Sequence, residues 1–431
     1  MICKVFCLQY CQIRTYLRSF MQTDRPVFGT RWTVVLGGFL VSMMGGLSYS
    51  WGVFVEPLGK HFGWSKSYSM LPMSVFMVVF SITMIPAGRI QEKYGTRWMI
   101  TLGAFLFLIA NSLSAMLRIV AFRGWLVLTY GVIGGLACGI TYSCVAPSIR
   151  RWFPDYPGLA VSLGVMGFGL ASFIFAPLKA QVIIPKFGLD GTFVVIALIT
   201  FVITLIASRL VVFPTDQWHM HIYGAMHLPD RTGMVRSNIP PGQMLRKSLF
   251  WLIWSSFLLS VYGSLLIIGI LPSYGFEVVK LSGGKAAIPI SLFALSNGLC
   301  RPIAGFLSDK VGILNVLSVV FLLQAATFIL FPFLITSFPA LLVAAIVLGL
   351  GIGASLALYP VLTSECFGVE HLGVNYGLVF SAYGFGAIAI QGGAYLRDRS
   401  GSYTISLILA GVLTLISIAI LYRIRVIYKL G

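Results

Sequence analysis

Charge is what this sequence has least of. Only 10% of its 431 residues are Asp, Glu, Lys or Arg, and just 12 of them are acids. A soluble domain of this length has no interior large enough to hide a chain that is 58% hydrophobic, so lipid has to be the solvent. Histidine is scarce too: there are five, all in polar stretches between apolar runs. No nucleophile with a base, metal cluster or phosphate loop is visible, which argues against an enzyme and leaves no cofactor or metal to place. Seven cysteines are present. Cys138, Cys144 and Cys300 fall in apolar runs, Cys366 reads as a loop residue, and Cys3, Cys7 and Cys11 recur every four residues without His or acidic ligands beside them.

What the chain does have is long apolar runs. A bilayer-spanning helix needs about 20 predominantly apolar residues, and backbone amides in hydrocarbon must pair within their own segment, so spanning helices follow. Spans are expected near 32–55, 68–87, 99–117, 124–147, 158–182 and 192–208, then 249–275, 286–307, 313–335, 338–361, 372–396 and 403–422. The stretch 209–248, with Pro214, Pro229, Gly233, Pro240, Pro241 and three histidines, reads as a linker. The fold class is therefore all-α: twelve transmembrane helices in two six-helix bundles, 31–208 and 249–424. An N-terminal segment 1–30 and a tail 425–431 flank them. Residues 1–21 look unlike the rest, and Met21 is the expected working start.

The formal net charge of +18 comes from 30 Lys and Arg scattered through short loops. They never interleave with aromatics in a basic domain, so nucleic acid is not an expected partner. Their distribution sets topology instead: nineteen fall on the side of the N-terminus, linker and C-terminus, against ten on the other. Both termini are expected in the cytoplasm.

The halves repeat one another. GRIQEKYG (Gly88 to Gly95) returns as GFLSDKVG (Gly305 to Gly312), 217 residues on, with Glu92 matched to Asp309 and Lys93 to Lys310. Gly135 and Gly139 pair with Gly349 and Gly353 at an offset of 214, and GFG at 167–169 is matched to GFG at 384–386. A duplicated six-helix unit is how many carriers rock about a midplane site. In the loop motif, glycines let helices turn and approach closely, while an acid with flanking cations can form a charge relay that closes the cytoplasmic side.

Two cations lie inside the expected spans, Lys179 and Arg301, and each costs at least about 2.5 to 3.5 kcal/mol there. Lys179 is near an outer helix end, where snorkelling to the headgroups is expected. Arg301 is deeper, and its planar fork suits a carboxylate.

Gly88, Arg89, Glu92, Gly95 and Arg97, repeated as Gly305, Asp309, Lys310 and Gly312, resemble the gating motif of the major facilitator superfamily. NGLCRPIAGFLSDKVG (from Asn297), LGVNYGLVFSAYGFGA (from Leu372), YSWGVF and RRWFPDYPGLAVSLGVMGFG look like the oxalate/formate antiporter family, more distantly like monocarboxylate transporters. The resemblance runs from Arg31 over nearly the whole chain. It implies the major facilitator fold and a substrate contact at Arg301, the position matching an arginine that binds the substrate carboxylate. Two departures accompany it. Tyr383 stands where the oxalate carrier has a lysine, and Asn297 stands where the monocarboxylate carriers have an acid. One fixed cation then favours a monoanion of formate, lactate or pyruvate type, because a second desolvated carboxylate goes unpaired. With no carboxylate or histidine in a span to carry a proton, exchange is expected over symport.

Tyr49, Tyr142, Tyr359, Phe380 and Tyr383, with Asn297, are expected to shape the rest of the pocket, since tyrosine hydroxyls donate without adding charge. The expected protein is a monomeric secondary transporter of a small monocarboxylate in a plasma or inner membrane, partnered by the bilayer and its anion. A proton-coupled symporter, a drug-efflux carrier and a non-transporting carboxylate sensor are the alternatives.

Overall fold

The computed structural model describes residues 31–120, 122, 124–214, 238–281, 285, 288–387 and 402–430. Within them, ten segments are long and apolar enough to cross a membrane. One of these, Pro157–Ala207, runs to 51 residues and breaks at Gly188, whose φ of 68° and ψ of −173° no helix tolerates. It therefore supplies two helices. Leu372–Gly386, whose continuation lies outside the described residues, is the twelfth.

In chain order the first bundle comprises α1 (Trp32–Ser50), α2 (Tyr68–Tyr94), α3 (Thr96–Ser114) and α4 (Val127–Trp152), followed by α5 (Pro157–Leu178) and α6 (Ile184–Ala207), whose spanning part begins after the Gly188 kink. The second comprises α7 (Ser248–Glu277), α8 (Ile288–Val311), α9 (Ile313–Leu334), α10 (Phe338–Phe367), α11 (Leu372–Gly386) and α12 (Thr404–Leu430). Helix starts follow local chemistry: Ser65 Oγ accepts from the Tyr68 amide, and Ser337 Oγ from that of Ala340. At the turns α2–α3 and α8–α9 the chain passes through Gly95 (φ 83°) and Gly312 (φ 89°), a conformation that a Cβ would penalise.

Large apolar side chains cover the outside, among them Trp98, Leu322, Val343 and Phe333 at about half exposure or more. On a water-facing surface that would be a vast sticky patch; against acyl chains it is the stable arrangement. The chain is thus a multi-pass membrane protein.

Small residues bring the helices together. Gly135 and Gly139 put α4 against α2, and Gly349 and Gly353 put α10 against α8, as the offset of 214 requires. The GFG repeat is corrected by the packing. Gly169 lies on Gly298 of α8, and the residue in the equivalent position on α11 is Gly384, which lies on Ser81 of α2. The working offset for α5 and α11 is therefore 215, not the 217 that aligning the two triplets implies. Helix neighbours, not the triplet, set the register. Cys366 is also corrected: it is buried near the end of α10 and not in a loop. Cys3, Cys7, Cys11, Met21 and the three linker histidines lie outside the described residues.

The segments on either side of the linker are tied to one end of the molecule. Thr96 Oγ1 and Trp152 Nε1 donate to the carbonyls of Val211 and Val212, each at 2.7 Å, and Asn375 Nδ2 donates to that of Ile239 at 3.0 Å. This is the linker end.

Candidate functional site

Arg301 lies in the middle of α8 and is fully buried. Its Nη1 donates to the Val165 carbonyl on α5 at 2.7 Å, crossing from one bundle to the other. Nη2 donates to Asn297 Oδ1 at 3.0 Å and Nε to the Asn297 carbonyl at 3.3 Å, so Asn297, one turn back, orients the fork. Tyr142 of α4 is an electrostatic neighbour of the same guanidinium. Every one of these partners is neutral. Among the described residues no carboxylate lies within ion-pair distance of Arg301. Burying an ion in hydrocarbon costs several kcal/mol even after relaxation, and neutral acceptors recover only part of that. The guanidinium thus keeps its full charge among neutral acceptors.

On the same seam is a narrow cavity of about 160 Å³, lined by Tyr49, Phe80, Tyr142, Phe168, Leu356, Phe380 and Tyr383; Arg301 is not part of its lining but acts electrostatically on its three tyrosines. The walls are closed on one another. Tyr49 and Tyr383 share a hydrogen bond of 2.5 Å between α1 and α11, again from bundle to bundle. Phe80 packs on Phe380 at 5.1 Å, and Phe168 meets Tyr49 and Tyr142 edge-on at 4.9 and 5.4 Å.

Arg301, Asn297, Tyr49, Tyr142, Phe380 and Tyr383 are thus brought together. Tyr359 is not. Its hydroxyl bonds Ser256 at 2.8 Å and its ring stacks on Phe257 at 4.3 Å, so it turns toward α7 while Leu356 takes the pocket wall. Residue type identifies an aromatic; only packing decides which face of α10 it occupies. Trp51 is a packing residue, buried against Tyr130 with its Nε1 donating to the Ser69 carbonyl.

Lys179 overturns the expectation of snorkelling. It sits in the π-type turn Lys179–Ile183 that continues α5, is buried, and donates through Nζ to Ser50 Oγ at 2.7 Å and the Leu47 carbonyl at 3.3 Å. Phe54 presents its ring at 5.3 Å. The reason is the single 3₁₀ turn Leu47–Ser50 in α1, where the change of helix type leaves acceptors nearer to hand than any headgroup.

At the linker end, the repeated loop motif fastens the bundles. Both carboxylate oxygens of Asp309 accept amides at the start of α5, from Gly158 and Leu159, each at 2.8 Å. There the helix macrodipole adds to the attraction. Gly305 packs directly on Gly158. In the other half Gly88 packs on Gly373 of α11, but Glu92 only approaches His371 Nδ1 at 3.8 Å. Arg150 Nε donates to Ser364 Oγ and Arg151 Nη2 to the Glu370 carbonyl, both at 3.0 Å. The expected relay through Arg89 and Arg97 is not formed: Arg89 is exposed, Arg97 partly so, and neither makes an ion pair among the described residues. Lys310 lies over the Phe306 ring at 4.2 Å. The cations of α4 take the bridging role, because their helix ends face the partner bundle.

Two helical bundles fastened at one end, with a closed polar site on their seam, define a transporter and not an enzyme. Residues 34–391, and overlapping them 253–427, match the Major Facilitator Superfamily, and the chain belongs to that family. It is 29% identical over 387 residues to the oxalate:formate antiporter of Oxalobacter formigenes, covering 89% of each chain. It is 26% identical over 368 residues to the uncharacterized MFS-type transporter YhjX of Escherichia coli, covering 83% of this chain and 86% of the relative. Among solved structures, a crystal structure of the E. coli fucose:proton symporter FucP superposes with a TM-score of 0.66 at 16% identity, over 91% of this chain and 99% of that one.

Proposed function

We propose that this transporter carries a small monocarboxylate anion of formate, lactate or pyruvate type, by exchange, through a site centred on Arg301. The single observation behind this is a fully buried guanidinium on the bundle seam whose partners are all neutral. The similarity to an oxalate:formate antiporter supports the substrate class. Tyr383 in place of a lysine argues for one carboxylate and not two. Lys179 does not supply the missing charge. It is 14 residues beyond Val165 along α5, about 21 Å at 1.5 Å per residue, and is committed to α1.

Exchange follows from the cost of returning empty. An unloaded site occludes a lone guanidinium, a loaded one occludes a neutral pair, so reorientation without cargo is the slow step. We place the linker 209–248 and both termini in the cytoplasm of a plasma or inner membrane, following the excess of Lys and Arg on that side, and take the working unit to be a monomer. Counterflow in proteoliposomes with labelled formate, lactate, pyruvate, oxalate and malonate tests the reading. Monoanions are expected to exchange and oxalate to compete poorly. Oxalate outcompeting every monoanion contradicts the one-cation argument, and rapid pH-driven uptake into vesicles holding no anion contradicts exchange.

A further inference from the structure

Tyr376 was not among the residues that the sequence pointed to, and its surroundings set it apart. On α11, Tyr376, Phe380 and Tyr383 recur at i, i+4 and i+7 and so share one face of the helix. Phe380 packs against both tyrosines, at 5.6 Å from Tyr376 and 5.1 Å from Tyr383. On the adjoining face, about 70° round the helix, α11 is pressed backbone to backbone on α2, through Gly373 on Gly88 and Gly377 on Met84.

Three tyrosine hydroxyls nearby have partners: Tyr49 and Tyr383 bond each other, and Tyr359 bonds Ser256. Tyr376 is 1% exposed and its hydroxyl makes no hydrogen bond. Phe380, the ring it packs on, lines the seam cavity together with Tyr49, Tyr142 and Tyr383. A buried donor without an acceptor forfeits its hydration, a cost that phenylalanine would avoid in the same volume. Among the unpartnered buried side-chain atoms of the described residues, the tyrosine hydroxyl is that of Tyr376, and its ring packs on a residue of the seam cavity.

We propose that Tyr376 is a substrate-binding residue: its hydroxyl donates to a carboxylate oxygen of the anion held by Arg301. This rests on the carboxylate reading above. Tyr376 is four residues from the start of α11, about 6 Å from the linker end of that helix. It is therefore the last of the three α11 ring positions an anion passes on its way out at that end, and the binding donor on that side of the guanidinium.

The test is Tyr376→Phe in counterflow, with formate and lactate each as probe, alongside melting of the purified protein without anion. Loss of one hydrogen bond to a charged group raises the apparent KM about tenfold, with the maximal rate unchanged. Melting without anion stays level or rises, because an unpaired hydroxyl has been removed. An apparent KM within twofold of the original overturns the proposal, as does a raised KM accompanied by a lowered melting temperature, which marks a structural role. Arg301→Gln run in parallel separates the two readings. If that variant still exchanges, the carboxylate reading fails whatever Tyr376→Phe does; if it is inactive while Tyr376→Phe keeps its KM, only the present inference fails.

Discussion

Where Gly305 of α8 lies against Gly158 of α5 on one seam between the bundles, Gly88 of α2 lies against Gly373 of α11 on the other. Farther in, Gly298 meets Gly169 on the first seam and Ser81 meets Gly384 on the second. These contacts superpose the halves at offsets of 217 for α2 and α8 and 215 for α5 and α11. In that register the counterpart of Arg301 is Met84, fully buried and apolar, and the counterpart of Asp309 is Glu92. The backbone contacts are duplicated and the midplane charge is not. The paired backbone contacts are therefore shared between the halves, while the buried cation on which the proposed cargo selection rests belongs to the second half.

Breaking that asymmetry at its strongest point has the largest expected effect. Arg301→Gln removes the fully buried cation at the middle of the seam and should lower counterflow by about a hundredfold or more, given roughly 3 to 5 kcal/mol for a buried charge pair left incomplete. Met84→Leu, at the mirror position, should stay within twofold. The fastenings at the linker end come next. Asp309→Ala loses two charge-assisted hydrogen bonds of about 1.5 to 3 kcal/mol each, so the linker end should open at least tenfold more often. Glu92→Gln gives up a partly exposed pair of about 0.2 to 1 kcal/mol and should shift the same equilibrium no more than about fivefold. Pulsed EPR between labels on the two bundles at that end reads both populations. Equal shifts would mean the two seams are equivalent after all.

Smaller differences are expected at the glycines. A Cβ at position 169 would lie 2.7 Å from the Gly298 Cα and N, backbone that cannot yield without parting α5 from α8. Gly169→Ala should cost about 1 to 3 kcal/mol and lower the melting temperature. Gly384→Ala meets Ser81, whose Oγ can rotate away while its Cβ, 2.9 Å off, must give by a few tenths of an ångström, and should cost less. The smallest effect belongs to Lys179→Met. A lysine held by two neutral acceptors inside one bundle gives up its desolvation cost when replaced by an apolar side chain of similar length. Counterflow should remain within twofold, with melting unchanged or higher; a large loss of flux would give that cation a role in transport.

Much of this was legible in the residues themselves. The apolar runs, the linker and the repeated loop motif define twelve helices in two related halves, because membrane burial and backbone pairing leave few other solutions. Arg301 stood out since a cation in hydrocarbon needs a reason. What the residues concealed was direction. Lys179 turns to a break in α1 that hydropathy does not reveal, Tyr359 turns to α7, and Tyr376 resembles any aromatic on a spanning helix until its hydroxyl is found without an acceptor. The GFG triplets misled for a related reason: three identical letters outweighed the helix neighbours that fix register.

The most direct test of the account is saturable binding of a labelled monocarboxylate to the purified protein, measured by equilibrium dialysis on the original chain, Arg301→Gln and Lys179→Met. Binding is predicted to vanish with Arg301→Gln and to persist with Lys179→Met. Retained binding in Arg301→Gln would contradict the central claim that a single seam cation holds the anion.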